Sequence, residues 1–142
     1  MLNPNGVILA LDVGERRIGV AAASVAAGLA SPLTTVEHNA EIYRELQALF
    51  GEHEAVAIVI GLPRGLDGQE TAQTRVVEQF VAELKKAIDL PIYWQDEAVT
   101  SRKAKEELEA RRKPYAKGDI DALAATYILE DFLREHPQEV RV

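Results

Sequence analysis

The amino-terminal part of the chain alternates apolar runs with short polar breaks, a pattern that predicts three consecutive strands. Val7–Val13 is almost continuously apolar, which is typical of a strand buried on both faces of a sheet. Arg17–Ser24 follows after the short break Gly14–Arg16, so we expect it to pair antiparallel with the first strand. Leu33–Glu37 predicts a weaker third strand that completes a meander.

Beyond the third strand, helical spacing of apolar residues alternates with two further buried runs. The predicted strands are Ala55–Ile60 and Pro91–Gln95, and Asp96 and Glu97 follow the second. The predicted helices are Ala40–Gly51, Gln69–Ile88, a helix from Thr100 or Ser101 to about Arg112, and Asp119–Glu135. This order predicts an α/β fold: a mixed five-stranded sheet, with three antiparallel strands and then two parallel βαβ strands, and helices on both faces.

Composition narrows the class of protein. A chain of 142 residues, 47% of them hydrophobic, predicts a single domain over residues 1–142. The absence of cysteine excludes disulfides and thiolate metal sites, and a cytoplasmic location is expected. No apolar run predicts a signal peptide or a membrane span, so no membrane partner is expected. The net charge of −7 does not favour nucleic acid, although basic residues concentrate at Arg16-Arg17 and from Arg102 to Lys117.

Aromatic residues, histidines and serines add no separate chemical signal. Trp94 stands in an apolar strand and is expected in the core. The histidines have no ligand spacing and are expected on the surface; they are His38, His53 and His136. No serine has a credible histidine and acid partner pattern, so a serine nucleophile is not expected.

Asp12 is the first residue of chemical interest, because it interrupts the buried first strand. Strand alternation places it on the same face as Ile8 and Ala10. An ionised carboxylate there costs several kcal/mol unless it is paired or bound to a cation. Two interpretations stay open on this stretch alone: an acid that binds backbone amides of the turn, or a metal ligand or catalytic acid.

Two further acids are predicted near the same edge of the sheet. Asp121 begins a stripe of small and apolar residues in the last helix, so it faces the core, while Asp119 is better placed to cap that helix. Glu97 follows a strand whose carboxyl end lies beside that of the first strand if the two are parallel, although it could also be a solvated acid. Carboxylates that converge at one edge form the hard-oxygen site that Mg²⁺ or Mn²⁺ prefers.

Four segments together resemble one protein family in their order and spacing. They are "LALDVGERRIGVA", "IVIGLPRGLDGQE", "WQDEAVTS" and "KGDIDALAATYILEDFL". The chain is similar over about Val7 to Leu133 to the YqgF family, the RuvX or Holliday-junction-resolvase-like proteins of bacteria. The resemblance implies an RNase H-like fold and a metal-dependent nuclease in the cytoplasm. It also implies that Asp12, Glu97 and Asp121 are catalytic and metal-binding.

Basic residues would position a nucleic-acid backbone in such an enzyme. The candidates are Arg16, Arg17, Arg64, Arg102, Lys103, Arg111, Arg112, Lys113 and Lys117. One departure from the family concerns this role: the usual "DERLT" is here "DEAVT", so Ala98 replaces an arginine. If that arginine contacts phosphate, this chain binds more weakly or relies on Arg102 and Lys103.

The leading hypothesis is an endonuclease that matures the 5′ end of precursor 16S rRNA with Mg²⁺ or Mn²⁺. A second is a resolvase of branched DNA in recombination or repair, which needs two active sites and hence a dimer; the chain is expected to be a monomer or a homodimer. A third is a non-catalytic nucleic-acid-binding or ribosome-associated module, consistent with the acidic charge and Ala98. An actin-like ATPase, whose fold is related, is disfavoured because one domain cannot form its nucleotide cleft.

Overall fold

The computed structural model describes residues 2–63, 70–97, 106–111 and 116–137, which contain one five-stranded sheet. The strands are β1 (Val7–Val13), β2 (Arg17–Ser24), β3 (Ala30–Glu37), β4 (Ala55–Pro63) and β5 (Ile92–Glu97). Their spatial order is β3-β2-β1-β4-β5. β1 and β2 pair antiparallel, as do β2 and β3, whereas β4 is parallel to both β1 and β5. The predicted mixed sheet is therefore confirmed.

Three helices flank the sheet: α1 (Ile42–Glu52), α2 (Ala72–Ala87) and α3 (Lys117–Glu135). Residues 106–110 are also helical. None of the helices in the described part of the chain combines the length and the apolar character that crossing a membrane requires.

Strand alternation divides the core into two layers. On one face Leu9 and Leu11 pack beneath α1 and α2. On the other face Ile8 and Ala10 pack beneath α3, which contributes the small and branched side chains that the sequence pattern predicts. Because β1 is central and covered on both sides, its apolar run is continuous.

The structure differs from the sequence prediction mainly at element ends. β3 begins at Ala30 rather than Leu33, and β4 continues past Ile60 to Pro63 because its last residues pair with β5. The prediction that Trp94 lies in the core is wrong: its side chain is 38% exposed. It stands on edge strand β5, whereas α1 and α2 pack against β4 on that face.

Candidate active site

Asp12 is the second-to-last residue of β1. It is half-buried on the face of the sheet that α3 covers. Its neighbour on β2 is Gly19, and β4 runs alongside on the other side. Asp12 is therefore held at the carboxyl end of a central strand, which is where open α/β sheets place their ligand sites.

Gly19 brings α3 close to Asp12. A Cβ atom added at Gly19 would lie 1.9 Å from the backbone carbonyl oxygen of Asp121, so the first turn of α3 rests directly on β2 at this point. The hydroxyl of Thr35 on β3 donates a 2.7 Å hydrogen bond to the carbonyl oxygen of Gly118 and fixes the same turn. These contacts set Asp121 beside Asp12 across the helix–sheet interface.

The two acids at the start of α3, Asp119 and Asp121, have different roles. The helix begins at Lys117, two residues earlier than predicted. The Asp119 carboxylate accepts a 2.9 Å hydrogen bond from the backbone N–H of Ala116, which stabilises the helix start. Asp119 is thus a capping residue, although it is not itself the N-cap, and Asp121 serves elsewhere.

Asp12 and Asp121 form an acidic pair, and the guanidinium of Arg17 contacts Asp121. Burial, and then the neighbouring charge of Asp121, raises the pKa of Asp12 to about 7. Arg17 donates from Nε to Oδ2 of Asp121 at 2.6 Å, and the two side chains are 35% and 19% exposed. Within the part of the chain that the structure describes, Arg17 therefore contacts one of the two carboxylates, and the negative charge of the pair is only partly balanced.

The backbone that follows Asp12 is fixed by side chains whose role the sequence did not indicate. Nε2 of Gln73, near the start of α2, donates to the carbonyl oxygen of Val13 at 3.1 Å. Nδ1 of His38 donates to the carbonyl oxygen of Gly14 at 2.7 Å. His38 is half-buried and its ring packs against Phe80, so its assignment to the surface was wrong.

Glu97 ends β5 on the same face as the acidic pair but farther away. It alternates with Tyr93 and Gln95, which face α3. The strand registers place Asp12 level with Gln95, and β4 lies between β1 and β5. Glu97 is two residues beyond Gln95, so standard strand spacings separate the Cα atoms of Asp12 and Glu97 by about 12 Å. Oε1 of Glu97 is buried, and its charge also acts on Arg134.

Within residues 2–63, 70–97, 106–111 and 116–137, no group of three or more histidine, aspartate or glutamate side chains is arranged to hold a metal ion. The structure thus brings two of the three predicted acids together and leaves Glu97 apart. The pair fits a divalent cation, because carboxylate oxygens are the hard ligands that such ions prefer. Mg²⁺ in particular is commonly held by one or two carboxylates, with water and substrate phosphate as its other ligands.

Three of the predicted nucleic-acid-binding residues lie near the pair: Arg17, the exposed Arg16 before it, and the exposed Lys117 that opens α3. Arg111 is paired instead with Glu107 at 2.8 Å. The remaining positions lie outside the described residues; they are Arg64, Arg102, Lys103, Arg112, Lys113 and the substituted Ala98.

The strand order, and the helix that crosses the sheet beside an acidic first strand, define the RNase H-like class of fold. Two structures of T. thermophilus RuvC share it, with TM-scores of 0.57 and, in complex with a Holliday junction substrate, 0.54. Each RuvC chain is 17% identical to this chain, and each comparison covers 91% of this chain and 96% of the RuvC chain.

The sequence matches the RuvX family, described as Holliday junction resolvase, over residues 6–135, and the chain belongs to this family. A relative from Roseiflexus sp. (strain RS-1) is 39% identical over 94% of this chain and 97% of that protein. One from Crocosphaera subtropica is 41% identical over 88% and 90%. Both carry the name "putative pre-16S rRNA nuclease". The prediction of an RNase H-like nuclease, a hydrolase of phosphodiester bonds in nucleic acid, is confirmed.

Proposed function

We propose that this nuclease cleaves precursor 16S rRNA at its 5′ end, with Mg²⁺ or Mn²⁺ held by Asp12 and Asp121. The observation that carries the proposal is the acidic pair at the carboxyl end of β1, with Arg17 on Asp121. The names of the relatives favour precursor 16S rRNA as the substrate. This substrate would place the protein in the cytoplasm.

In the proposed reaction the oxygen of a water molecule adds to phosphorus, a backbone P–O bond breaks, and the leaving oxygen takes up a proton. A divalent cation supplies the acidity that activates water and offsets the charge that develops on phosphate. Asp12 and Asp121 would hold that cation through carboxylate oxygens supplied by β1 and α3. Arg16 and Lys117, exposed on the same rim, bind the flanking phosphates of the RNA.

We expect Glu97 to contribute less to metal binding than Asp12 and Asp121 do. It is the third acid on the face of the pair, and its distance from Asp12 predicts a weaker contribution to metal binding than either partner of the pair makes. Glu97→Gln should therefore weaken Mn²⁺ affinity less than Asp12→Asn or Asp121→Asn does. Isothermal titration of Mn²⁺ into the three variants measures this order, and an equal loss in all three would contradict it.

The test of the activity is cleavage of an RNA that spans the 5′ end of precursor 16S rRNA, with and without Mn²⁺. Asp12→Asn and Asp121→Asn should each abolish cleavage while circular dichroism shows an intact fold. Asp119→Asn is the matched control, because it removes an acid from the same helix turn without touching the pair, and it should retain activity. Undiminished cleavage by folded Asp12→Asn protein would refute the proposal.

Cleavage of branched DNA is the second candidate, favoured by the family description and by the RuvC-like fold. A four-way junction requires two active sites, so this activity requires a homodimer, whereas RNA cleavage is open to a monomer. Parallel assays on the precursor RNA and on a synthetic junction, with sedimentation to measure mass, separate the two. Exclusive cleavage of the junction by a dimer would replace the RNA proposal.

A further inference from the structure

We propose that Arg17 bridges Asp121 and a phosphate of the bound nucleic acid, and thereby couples substrate binding to metal binding. The inference rests on the proposed function, because it concerns the same acidic pair. It assigns Arg17 a task beyond general attraction of the backbone: Arg17 is the positioning residue through which substrate raises the affinity of the site for a divalent cation.

The geometry of the ion pair supports a bridge. Arg17 begins β2 and, by alternation with Gly19, faces α3. It contacts Asp121 through Nε, at 2.6 Å, rather than through its terminal nitrogens. A guanidinium has five N–H donors in a planar fork, so a bond from Nε leaves the two Nη groups for another acceptor. The side chain is 35% exposed, which gives a phosphate oxygen access to it.

Electrostatics gives the direction of the coupling. The charge of Arg17 neutralises part of the negative charge on Asp121 and opposes a second cation beside the same carboxylate. A phosphate that binds the Nη groups offsets this positive charge while the Nε bond continues to hold Asp121 in place. The protein should therefore bind a divalent cation more tightly when nucleic acid is bound, and the reverse must hold to the same extent.

Arg16 provides the comparison within the chain. It precedes Arg17 in the turn and carries the same charge, and it is exposed to solvent. Its removal lowers the general positive field of the turn but leaves the ion pair to Asp121 intact. Substitutions at the two positions therefore separate the bridge from unspecific electrostatics.

The experiment is calorimetric titration of Mn²⁺ into the intact protein, alone and saturated with a short RNA whose phosphorothioate linkages resist cleavage. In the wild type the RNA should lower the Mn²⁺ dissociation constant about fivefold. Arg17→Gln should bind Mn²⁺ about tenfold more tightly without RNA, the size expected for removing one charge near a divalent ion in a solvated site. The RNA should then lower the Mn²⁺ dissociation constant of this variant by a smaller factor than in the wild type, because only direct ligation by substrate phosphate remains. Arg16→Gln should keep the fivefold coupling.

Arg17→Lys tests the same inference with the charge kept. Because the charge is kept, Mn²⁺ affinity without RNA should stay within about twofold of wild type. A single ammonium cannot hold Asp121 and a phosphate in the geometry of the fork, so the RNA should raise Mn²⁺ affinity by a smaller factor than in the wild type. This variant keeps the test valid if Arg17→Gln does not fold.

Two results would overturn the inference: wild-type coupling in both Arg17 variants, or Mn²⁺ affinity in Arg17→Gln that is equal to or weaker than that of the wild type. If Asp12→Asn abolishes Mn²⁺ binding in the same series, the proposed metal site survives that failure. If neither the wild type nor Arg17→Gln binds Mn²⁺, both proposals fail.

Discussion

Asp12 carries an electrostatic penalty in the folded chain, caused by burial and by the neighbouring charge of Asp121. Its half-buried carboxylate lies beside Asp121, and the pKa of Asp12 is raised to about 7. The charged form is therefore less stable in the folded chain than in the unfolded chain, where the pKa is about 3.8. A carboxylate that weakens the fold at neutral pH is typical of a site built to receive a cation.

This penalty predicts a pH dependence of stability for the metal-free protein. Because the folded state binds the Asp12 proton more tightly, the free energy of unfolding should fall as pH rises from about 4 to about 7, and level off above that range. Asp12→Asn should remove this component and raise the unfolding free energy at pH 8 by about 1–3 kcal/mol. Urea unfolding in EDTA at pH 5 and pH 8 measures both effects.

The comparison of variant with wild type isolates Asp12 from the other titrating groups. At about pH 3 or below the two proteins should be nearly equally stable, since Asp12 is then largely protonated in both the folded and the unfolded wild type. A variant that is less stable than wild type at pH 8 would show that Asp12 is satisfied without a cation, as an acid that binds the turn.

Among the elements, α3 determines the site, because it crosses the sheet from β2 and β3 to β5. Its first turn rests on Gly19, and Phe132 near its end packs against Tyr93. Ile128 lies over Gly61 between these points, where an added Cβ would come within 2.3 Å of its side chain. The position of Asp121 therefore depends on how closely the whole helix approaches the sheet.

Gly19→Ala tests that dependence. The new methyl group would meet backbone atoms of Asp121, which no side-chain rotation can relieve, so the first turn of α3 must move away from β2. We expect a loss of about 1–3 kcal/mol in unfolding free energy, together with weaker Mn²⁺ binding. Thermal denaturation and calorimetry check the two effects.

Gly51→Ala is the control for this substitution. A Cβ atom at Gly51 meets nothing within 4 Å, and the residue lies within α1. Alanine there should leave Mn²⁺ affinity unchanged and stabilise the helix by about 0.5–1 kcal/mol. Equal behaviour of the two variants would mean that the close approach at Gly19 does not position Asp121.

The elements show which features the sequence pattern could predict. β1 and β2 were predicted at their observed ends, because short apolar runs separated by a tight turn specify local pairing. Gly19 could not be recognised as a contact point, since a glycine in a strand indicates close approach without naming the partner. Trp94 was misplaced because apolar character does not show which strand lies at the edge.

Some features of the candidate site could likewise be predicted from the sequence, and others could not. Alternation placed Asp12 on the correct face, and the helical stripe placed Asp121 opposite it. The clustering of Glu97 with them did not follow, because a shared edge says nothing about how many strands separate two residues. The ion pair of Arg17 with Asp121 joins residues that are 104 positions apart in the chain, so only the tertiary fold shows it.

For the whole molecule, the distribution of charge matters more than its sum. The net charge of −7 opposes nucleic acid at long range. The exposed cations Arg16 and Lys117 nevertheless stand on the rim of the acidic pair. α2 begins at the same edge of the sheet, where the hydroxyl of Thr74 donates to the carbonyl oxygen of Pro63. Lys86 lies near the other end of this 16-residue helix, about 20 Å from its start.

This arrangement predicts a localised and salt-sensitive contact with nucleic acid. Arg16→Gln and Lys117→Gln should each weaken RNA binding in EDTA and reduce the slope of log affinity against log salt by about 0.7–0.9, the change expected when one phosphate contact is lost. Lys86→Gln removes the same charge from the opposite end of α2 and should change neither quantity, because exposed charges farther apart than the Debye length, about 10 Å at 0.1 M salt, are largely screened. Fluorescence anisotropy with a labelled RNA across a salt series measures both. If Lys86→Gln reduces the slope as much as Arg16→Gln does, binding reflects the overall charge of the molecule and the rim of the acidic pair is not the binding surface.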